Sequence, residues 1–222
     1  MTMCPKKIKK PWPTKAAMEQ VYQLNLWGAN ETKFYSGEGS HHSNYVEPYI
    51  TVVSSFLSSF SIPPVVCDLG CGDFNIGRQL VKYSSNYIGV DIVNDLILHN
   101  KKIYTQKKLE FRCLDIANDP IPRGDCAIIR QVFQHLSNDE VQQILNKLYQ
   151  FKFVIITEHI PKYNFIPNID ILSGQGNRLK KKSGLDLASP PFNFKVIDKK
   201  QLLKVNVINK DELMVTTQYQ MY

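Results

Sequence analysis

Apolar residues in this chain follow two rhythms, and the change falls near Pro63-Pro64. Before the prolines the spacing is helical. Met18, Val21, Tyr22 and Leu24 recur near a three-to-four-residue interval, which predicts a helix over residues 14–26 with Thr14 as its cap. A second helix is predicted over residues 45–60, stopping before the prolines that cannot continue it. Between the two, residues 27–40 are rich in glycines, hydroxyls and other turn formers. After the prolines, apolar runs of strand length take over at residues 65–69, 87–91, 109–114, 126–130 and 153–157. They alternate with helical patterns at 75–83, 95–104 and 137–149, the last opened by Ser137 and Glu140 at capping-box spacing. An irregular crossover over 164–191 leads to two final strands, predicted at 194–197 and 213–218.

Strands alternating with helices predict an α/β fold, a doubly wound and mostly parallel seven-stranded sheet with helices on both faces. The length of 222 residues suits one domain, divided into an N-terminal helical, lid-like segment (1–62) and a sheet-bearing core (63–222). Apolar residues make up 43% of the chain, yet no run reaches the roughly 18 to 20 needed to span a bilayer, so no membrane partner is expected. The basic N-terminus, Lys6-Lys7-Ile8-Lys9-Lys10, lacks the apolar stretch of a secretory signal, which makes a cytoplasmic location the expectation. Five scattered cysteines, an odd number, read as reduced core residues. Cys67 and Cys71 have no second ligand pair, so no metal site is expected. The net charge of +7 draws on lysine clusters at 6–10 and 180–182, read as solvated surface. No nucleic-acid-binding signature accompanies either cluster, and a nuclear address at 6–10 is only weakly specified.

The candidate chemistry begins at Val65-Val66-Cys67-Asp68-Leu69-Gly70-Cys71-Gly72-Asp73, a buried strand breaking into a glycine turn. Gly70 and Gly72 allow positive φ and close approach of a ligand to the peptide groups. A second acid, Asp91, closes the next strand, Tyr87-Ile88-Gly89-Val90-Asp91. Strand, glycine turn, helix, strand and acid form the layout of a nucleoside-binding half-sheet. A dinucleotide fingerprint would place a third glycine where Asn75 stands, which argues against a nicotinamide dehydrogenase, and no Gly-Lys-Ser/Thr follows to make a P-loop.

What remains, Asp68-Leu69-Gly70-Cys71-Gly72, resembles the first motif of the Rossmann-like, class I S-adenosylmethionine-dependent methyltransferases. Gly89-Val90-Asp91-Ile92, Leu114-Asp115-Ile116 and Ile129-Arg130-Gln131-Val132 follow in the order of that family's later motifs, and the likeness spans about residues 65–160. A narrower likeness, carried by Trp27-Gly28, Ser36-Gly37-Glu38-Gly39-Ser40, Cys71-Gly72-Asp73-Phe74-Asn75, Arg130 to Ser137 and Pro190-Pro191-Phe192-Asn193, is to a poorly characterised bacterial branch without a firm substrate. The resemblance implies S-adenosylmethionine as cofactor. Asp91 would accept from the ribose hydroxyls, Ile92 would lie against adenine, and Asp115 with the Ile116 amide would meet the adenine edge. Asp68, the Gly70 carbonyl and the Arg130 carbonyl would face the cationic tail, with Gly72 completing the turn. Asp68, Asp91 and Asp115 could instead serve only their own turns, as loop aspartates commonly do.

Methyl transfer is an in-line displacement that depends chiefly on positioning, with a general base helpful for hydroxyl or acid acceptors. Acceptor-side candidates sit at the carboxyl ends of the strands. His135 after the fourth strand and His159 after the fifth are the catalytic candidates, each with a packing role as the alternative. Trp27, Ser40 and His41 could form a lid over the cofactor. Arg178 in the crossover could read a polar group on the acceptor. These readings together give methyl transfer to a small-molecule acceptor. Methylation of RNA or protein, or a non-catalytic binder of the cofactor, are the alternatives, and the oligomeric state is left open.

Overall fold

The computed structural model describes residues 12–29 and 33–222; Cys4 and the lysine cluster at 6–10 lie outside them. Seven strands form one sheet: β1 (Val65–Leu69), β2 (Asn86–Asp91), β3 (Leu109–Cys113), β4 (Cys126–Arg130), β5 (Phe153–Pro161), β6 (Asp198–Asn206) and β7 (Glu212–Gln220). Their order is β3-β2-β1-β4-β5-β7-β6. The first five run parallel, whereas β7 is antiparallel to both β5 and β6. The helices are α1 (Thr14–Gln23), α2 (Ser43–Ser58), α3 (Gly77–Leu80), α4 (Asn94–Ile103) and α5 (Asn138–Leu148). Chain order reverses between β1 and β4, and at that switch point the strand ends leave a crevice for ligands.

The central strands read as unbroken apolar runs because both faces of the sheet are covered. Cys67 and Leu69 of β1 pack with Val90, Ile129 and Ile156 into one core cluster, while Val66 points the other way, among Tyr87, Ile128 and Ile155. Each fully buried aliphatic side chain of this kind stabilises the fold by roughly 1.5–3 kcal/mol. Helix α5 covers the first face with Val141, Ile144, Leu145 and Leu148. The Ser137 hydroxyl caps it by accepting from the Glu140 amide (3.3 Å). The return bond of a capping box is absent, because the Ser137 amide donates to Ser173 of the crossover instead (2.7 Å).

Several expectations need correction. The residue before α1 is Pro13, without a side-chain cap, and the Thr14 hydroxyl donates to Glu140 at 2.5 Å, tying α1 to α5. The helix expected over 75–83 shrinks to one α-turn and a 3₁₀ turn, since Phe74 adopts a left-handed φ of 64° and delays its start. Residues 194–197 form no strand. Phe194 is buried there as a plug between Tyr149 and Tyr219, and the real edge strand, β6, starts at Asp198. Its Lys199, Lys200 and Lys204 obscure a strand signal while protecting an open edge from mispairing. Finally, β5 continues through Pro161, beyond the point where Thr157 pairs with Arg130. That extension carries Glu158 and His159 past the parallel part of the sheet, beside β7.

Candidate functional site

The crevice at the switch point is a cleft of about 1010 Å³. Its floor is the turn after β1. Gly70 has φ +91°, and a Cβ there would stand 2.3 Å from Val132 Cγ2, so the position demands glycine on both grounds. The Gly70 and Cys71 amides donate to the Val90 carbonyl (2.8 and 2.9 Å), stitching the turn to β2. The Gly72 amide donates to Asp91 Oδ2 (3.1 Å) and the Val93 amide to Asp91 Oδ1 (3.0 Å). A carboxylate offers about four acceptor sites, so Asp91 retains lone pairs for a ligand. Burial raises its pKa, and the amide bonds oppose that shift. Buried Asp68 accepts from the Tyr87 hydroxyl (2.9 Å). Burial pushes its carboxyl up to about 7, although the Tyr87 bond pulls the other way.

Ile92, Asp115 and Ile116 line the neighbouring wall. Asp115 is turned into its own loop, where it accepts from the Ala117 amide (3.0 Å) and the Asn118 side chain (2.9 Å). From α5, Lys147 Nζ reaches the carbonyls of Ile116, Ala117 and Asp119 at 3.0, 2.6 and 2.7 Å. This loop is therefore held from outside by a cation that sequence reading did not single out.

The segment between α1 and α2 roofs the floor. Ser36 exchanges bonds with Asp73, its amide donating to Oδ2 (2.8 Å) and its hydroxyl accepting from the Asp73 amide (2.9 Å). His41 Nε2 also meets Asp73 Oδ2, at 2.6 Å. Asn75 Nδ2 donates to the Ser40 carbonyl (2.7 Å). From the tip of β4, buried Arg130 donates to the Gly39 carbonyl (2.6 Å) and the Ser40 hydroxyl (3.2 Å), while stacking on Tyr49 with 4.8 Å to the ring centroid. Trp27 lies across the edge of the roof, 4.9 Å from the His135 ring. The Arg130 side chain, and not only its carbonyl, thus belongs to the site. Asp73 and Asn75 have a sequence signal only as members of the Cys71-Gly72-Asp73-Phe74-Asn75 likeness, which assigns them no role.

The far end of the cleft is organised around the turn after β4. Glu158 accepts from the Phe133 and Gln134 amides (2.8 and 3.0 Å), and burial pushes its carboxyl up to about 8 despite those bonds. Gln134 bridges two histidines, with Nε2 at 3.1 Å from His135 Nε2 and Oε1 accepting from the His159 amide (3.3 Å). His135 Nδ1 donates to the Gly176 carbonyl (3.0 Å). Both His135 nitrogens are engaged, and burial lowers its pKa to about 4. It is a neutral packing histidine without a spare lone pair. His159 differs: Nδ1 lies 3.5 Å from Glu212 Oε2, and Nε2 has no partner among the described residues.

Every site residue anticipated from sequence lines this cleft except His41 and Arg178. His41 stands behind the lining on Asp73. Arg178 is 1% exposed and donates to the Phe133 carbonyl and Asn138 Oδ1, both at 2.7 Å, so it braces the turn after β4 instead of reading an acceptor. Its neighbours Asn177, Leu179 and Lys180 take the lining positions.

Residues 67–151 match a family model described as a methyltransferase domain. No curated protein matches the chain. Among solved structures, the magnesium protoporphyrin IX methyltransferase of Synechocystis PCC 6803, with bound S-adenosylmethionine, is 13% identical, with a TM-score of 0.59 and coverage of 96% of this chain and 100% of that one. Human N-acetylserotonin methyltransferase is 14% identical with a TM-score of 0.55; the match covers 94% of this chain but 65% of the human one. The [4+2]-cyclase SpnF is 11% identical at a TM-score of 0.59, covering 95% and 98%. At such identities the structures show a shared fold only, and the cyclase among them shows how far chemistry can vary on it. The family match falls on β1 to α5, the stretch that holds the glycine turn, Asp91 and Asp115. The methyltransferase-domain match over residues 67–151 thus coincides with the strand tips that line the cleft, on a seven-stranded sheet whose fold those structures share.

Proposed function

We propose that this cleft holds S-adenosylmethionine at its β1–β2 end and a small acceptor at its β5–β7 end, with residues 1–222 acting as one unit. The observation that carries the reading is Asp91. It is fixed by the Gly72 and Val93 amides at 3.1 and 3.0 Å, half-buried, and still able to accept from a vicinal diol. The groups around it suit the rest of such a ligand. Ile92 and Ile116 offer apolar surface for a base, Asp115 retains acceptor capacity at its edge, and Asp68 can pair with an ammonium group. When bound, the sulfonium supplies an activated methyl group; the chain supplies orientation, a covered cleft and the exclusion of water.

The roof favours a small acceptor. A cleft of about 1010 Å³ has room for a nucleoside and one compact molecule, and the bonds from Asp73, Asn75 and Arg130 close it against a polymer. A cytoplasmic setting is part of the proposal and fits the free thiols of Cys67, Cys71, Cys113 and Cys126. Among the described residues, no helix is long and apolar enough to cross a membrane.

Calorimetric titration with S-adenosylhomocysteine tests the reading. Binding is expected, and Asp91→Ala should weaken it by about 1.5–3 kcal/mol, the range for hydrogen bonds to a charged group. An unchanged affinity in that variant removes the assignment. Labelled-methyl transfer into a metabolite extract, compared with transfer into RNA and protein fractions of the same extract, tests the acceptor class.

A further inference from the structure

Resting on the methyltransferase reading, we propose that His159 is the general base of the reaction, that Glu212 positions it, and that the acceptor atom is a hydroxyl oxygen. Of the chain's five histidines, His159 alone lines the cleft with a ring nitrogen, the buried Nε2, that has no partner among the described residues and is not committed to carrying the proton. His135 has both nitrogens bonded. His42 Nδ1 accepts from the Asn44 amide, which leaves its other nitrogen as the protonated one. His41 is held by Asp73 behind the lining, and His99 packs against Phe34 away from the cleft.

The strand register explains how the pair forms. His159 lies opposite Met214 of β7, and Glu212 is two residues along the same strand, so both side chains share one face as diagonal neighbours. Met214 shows which face: its sulfur contacts Arg130 (3.6 Å) and Gln131 (3.5 Å), both of which line the cleft. The Glu212 carboxylate, 3.5 Å from His159 Nδ1, keeps the proton on that nitrogen and leaves the Nε2 lone pair available. The backbone is fixed as well, because the His159 amide is bound to Gln134, which Glu158 holds in turn.

Such a base suits an acceptor that must lose a proton to become a good nucleophile. An aliphatic or phenolic hydroxyl meets that description, whereas an unprotonated amine can attack without one. In the step, the acceptor oxygen forms a bond to the methyl carbon as the methyl–sulfur bond breaks. The electron pair of that bond goes to sulfur, neutralising the sulfonium, and the hydroxyl proton passes to His159 Nε2. The products are a methyl ether, S-adenosylhomocysteine and an imidazolium facing Glu212. The remaining polar lining at this end includes Gln131, Asn177 and Asn209, neutral groups able to bond a hydroxylated molecule.

The first test needs no acceptor. Nitrogen-15 NMR of the full chain labelled at histidine, at a pH where imidazoles are neutral, should show His159 protonated at Nδ1 and bare at Nε2. Glu212→Ala should shift it toward a mixture of the two forms. A spectrum with Nε2 protonated in the unaltered chain, or one untouched by Glu212→Ala, overturns the proposal. S-adenosylhomocysteine titration serves as the control: affinity in His159→Gln and Glu212→Ala should stay within about twofold, so a chain that binds no cofactor at all condemns the underlying reading and not this one. The second test follows labelled methyl from S-adenosylmethionine into catechol, D-glucose, ethanolamine and 2-mercaptoethanol. Hydroxyl methylation in His159→Gln should fall by about 10²–10⁴-fold, the usual contribution of a general base. Transfer to nitrogen or sulfur at an unaltered rate in His159→Gln overturns the proposal even if the tautomer is as expected.

Discussion

At the β1–β2 end of the cleft, the polar groups come from turns close together in the chain, and the contacts that set them involve backbone atoms. Gly70 and Cys71 bond to Val90, and Gly72 bonds to Asp91. At the β5–β7 end, the groups come from distant segments and a side chain carries each contact: Gln134 accepts from the His159 amide, and the His159 ring meets Glu212. The first end can hardly vary without loss of the fold, because its atoms are the fold. The second is a set of side chains standing on finished strands, and it can be rewritten with little disturbance below. Donor binding and acceptor choice are therefore separable properties of this chain.

The largest expected effect comes from breaking the backbone-built end. Gly70→Val places a branched side chain at φ +91° against Val132, and should cost about 3 kcal/mol or more of stability together with all measurable S-adenosylhomocysteine binding. Denaturant unfolding and calorimetry check this; near-normal values would erase the distinction between the two ends. Loosening the roof comes next. Asp73→Ala removes the acceptor for the Ser36 amide and His41, and should raise the dissociation rate of S-adenosylhomocysteine about tenfold, as read by stopped-flow fluorescence.

A smaller effect compares the buried acids of the two ends by pH. Asp68 has its carboxyl raised from 3.8 to about 7 and faces the cleft. An ammonium-bearing ligand prefers the ionised form, so affinity should rise by up to about tenfold per pH unit below 7 and level off above it, and Asp68→Asn should flatten the curve. In the ligand-free chain the sign reverses. A raised carboxyl contributes stability that is full below its unfolded pKa and fades as pH climbs through about 7 for Asp68 and about 8 for Glu158. The smallest expected change completes the comparison. Glu158→Gln keeps one acceptor for the turn after β4, so it should lower stability by about 1 kcal/mol and leave S-adenosylhomocysteine affinity within about twofold.

The same contrast governed what the sequence could reveal. Asp68, Gly70, Gly72 and Asp91 lie on adjacent strand tips, and strand, turn and strand can be read within one short window. The extension of β5 is not legible in sequence because its last residues, Glu158, His159, Ile160 and Pro161, lack an apolar run; pairing with β7 makes them a strand. Glu212 was invisible for the same reason, since nothing local connects it to His159. Arg178 and His135 looked like site residues by type and position. Their burial against Phe133, Asn138 and Gly176 could be seen only once the crossover had folded over α5. Asp73 and Asn75 stand within the motif that follows β1, but their bonds run to a segment more than thirty positions earlier.

The fastening of the roof has a kinetic consequence. Ser36, Gly39, Ser40 and His41 are secured to Asp73, Asn75 and Arg130, which belong to the wall and floor of the cleft itself, so a spent nucleoside leaves only after those links part together. Departure, not bond making, is then expected to pace steady turnover, and the first cycle of a rapid-mixing experiment should run ahead of all later ones.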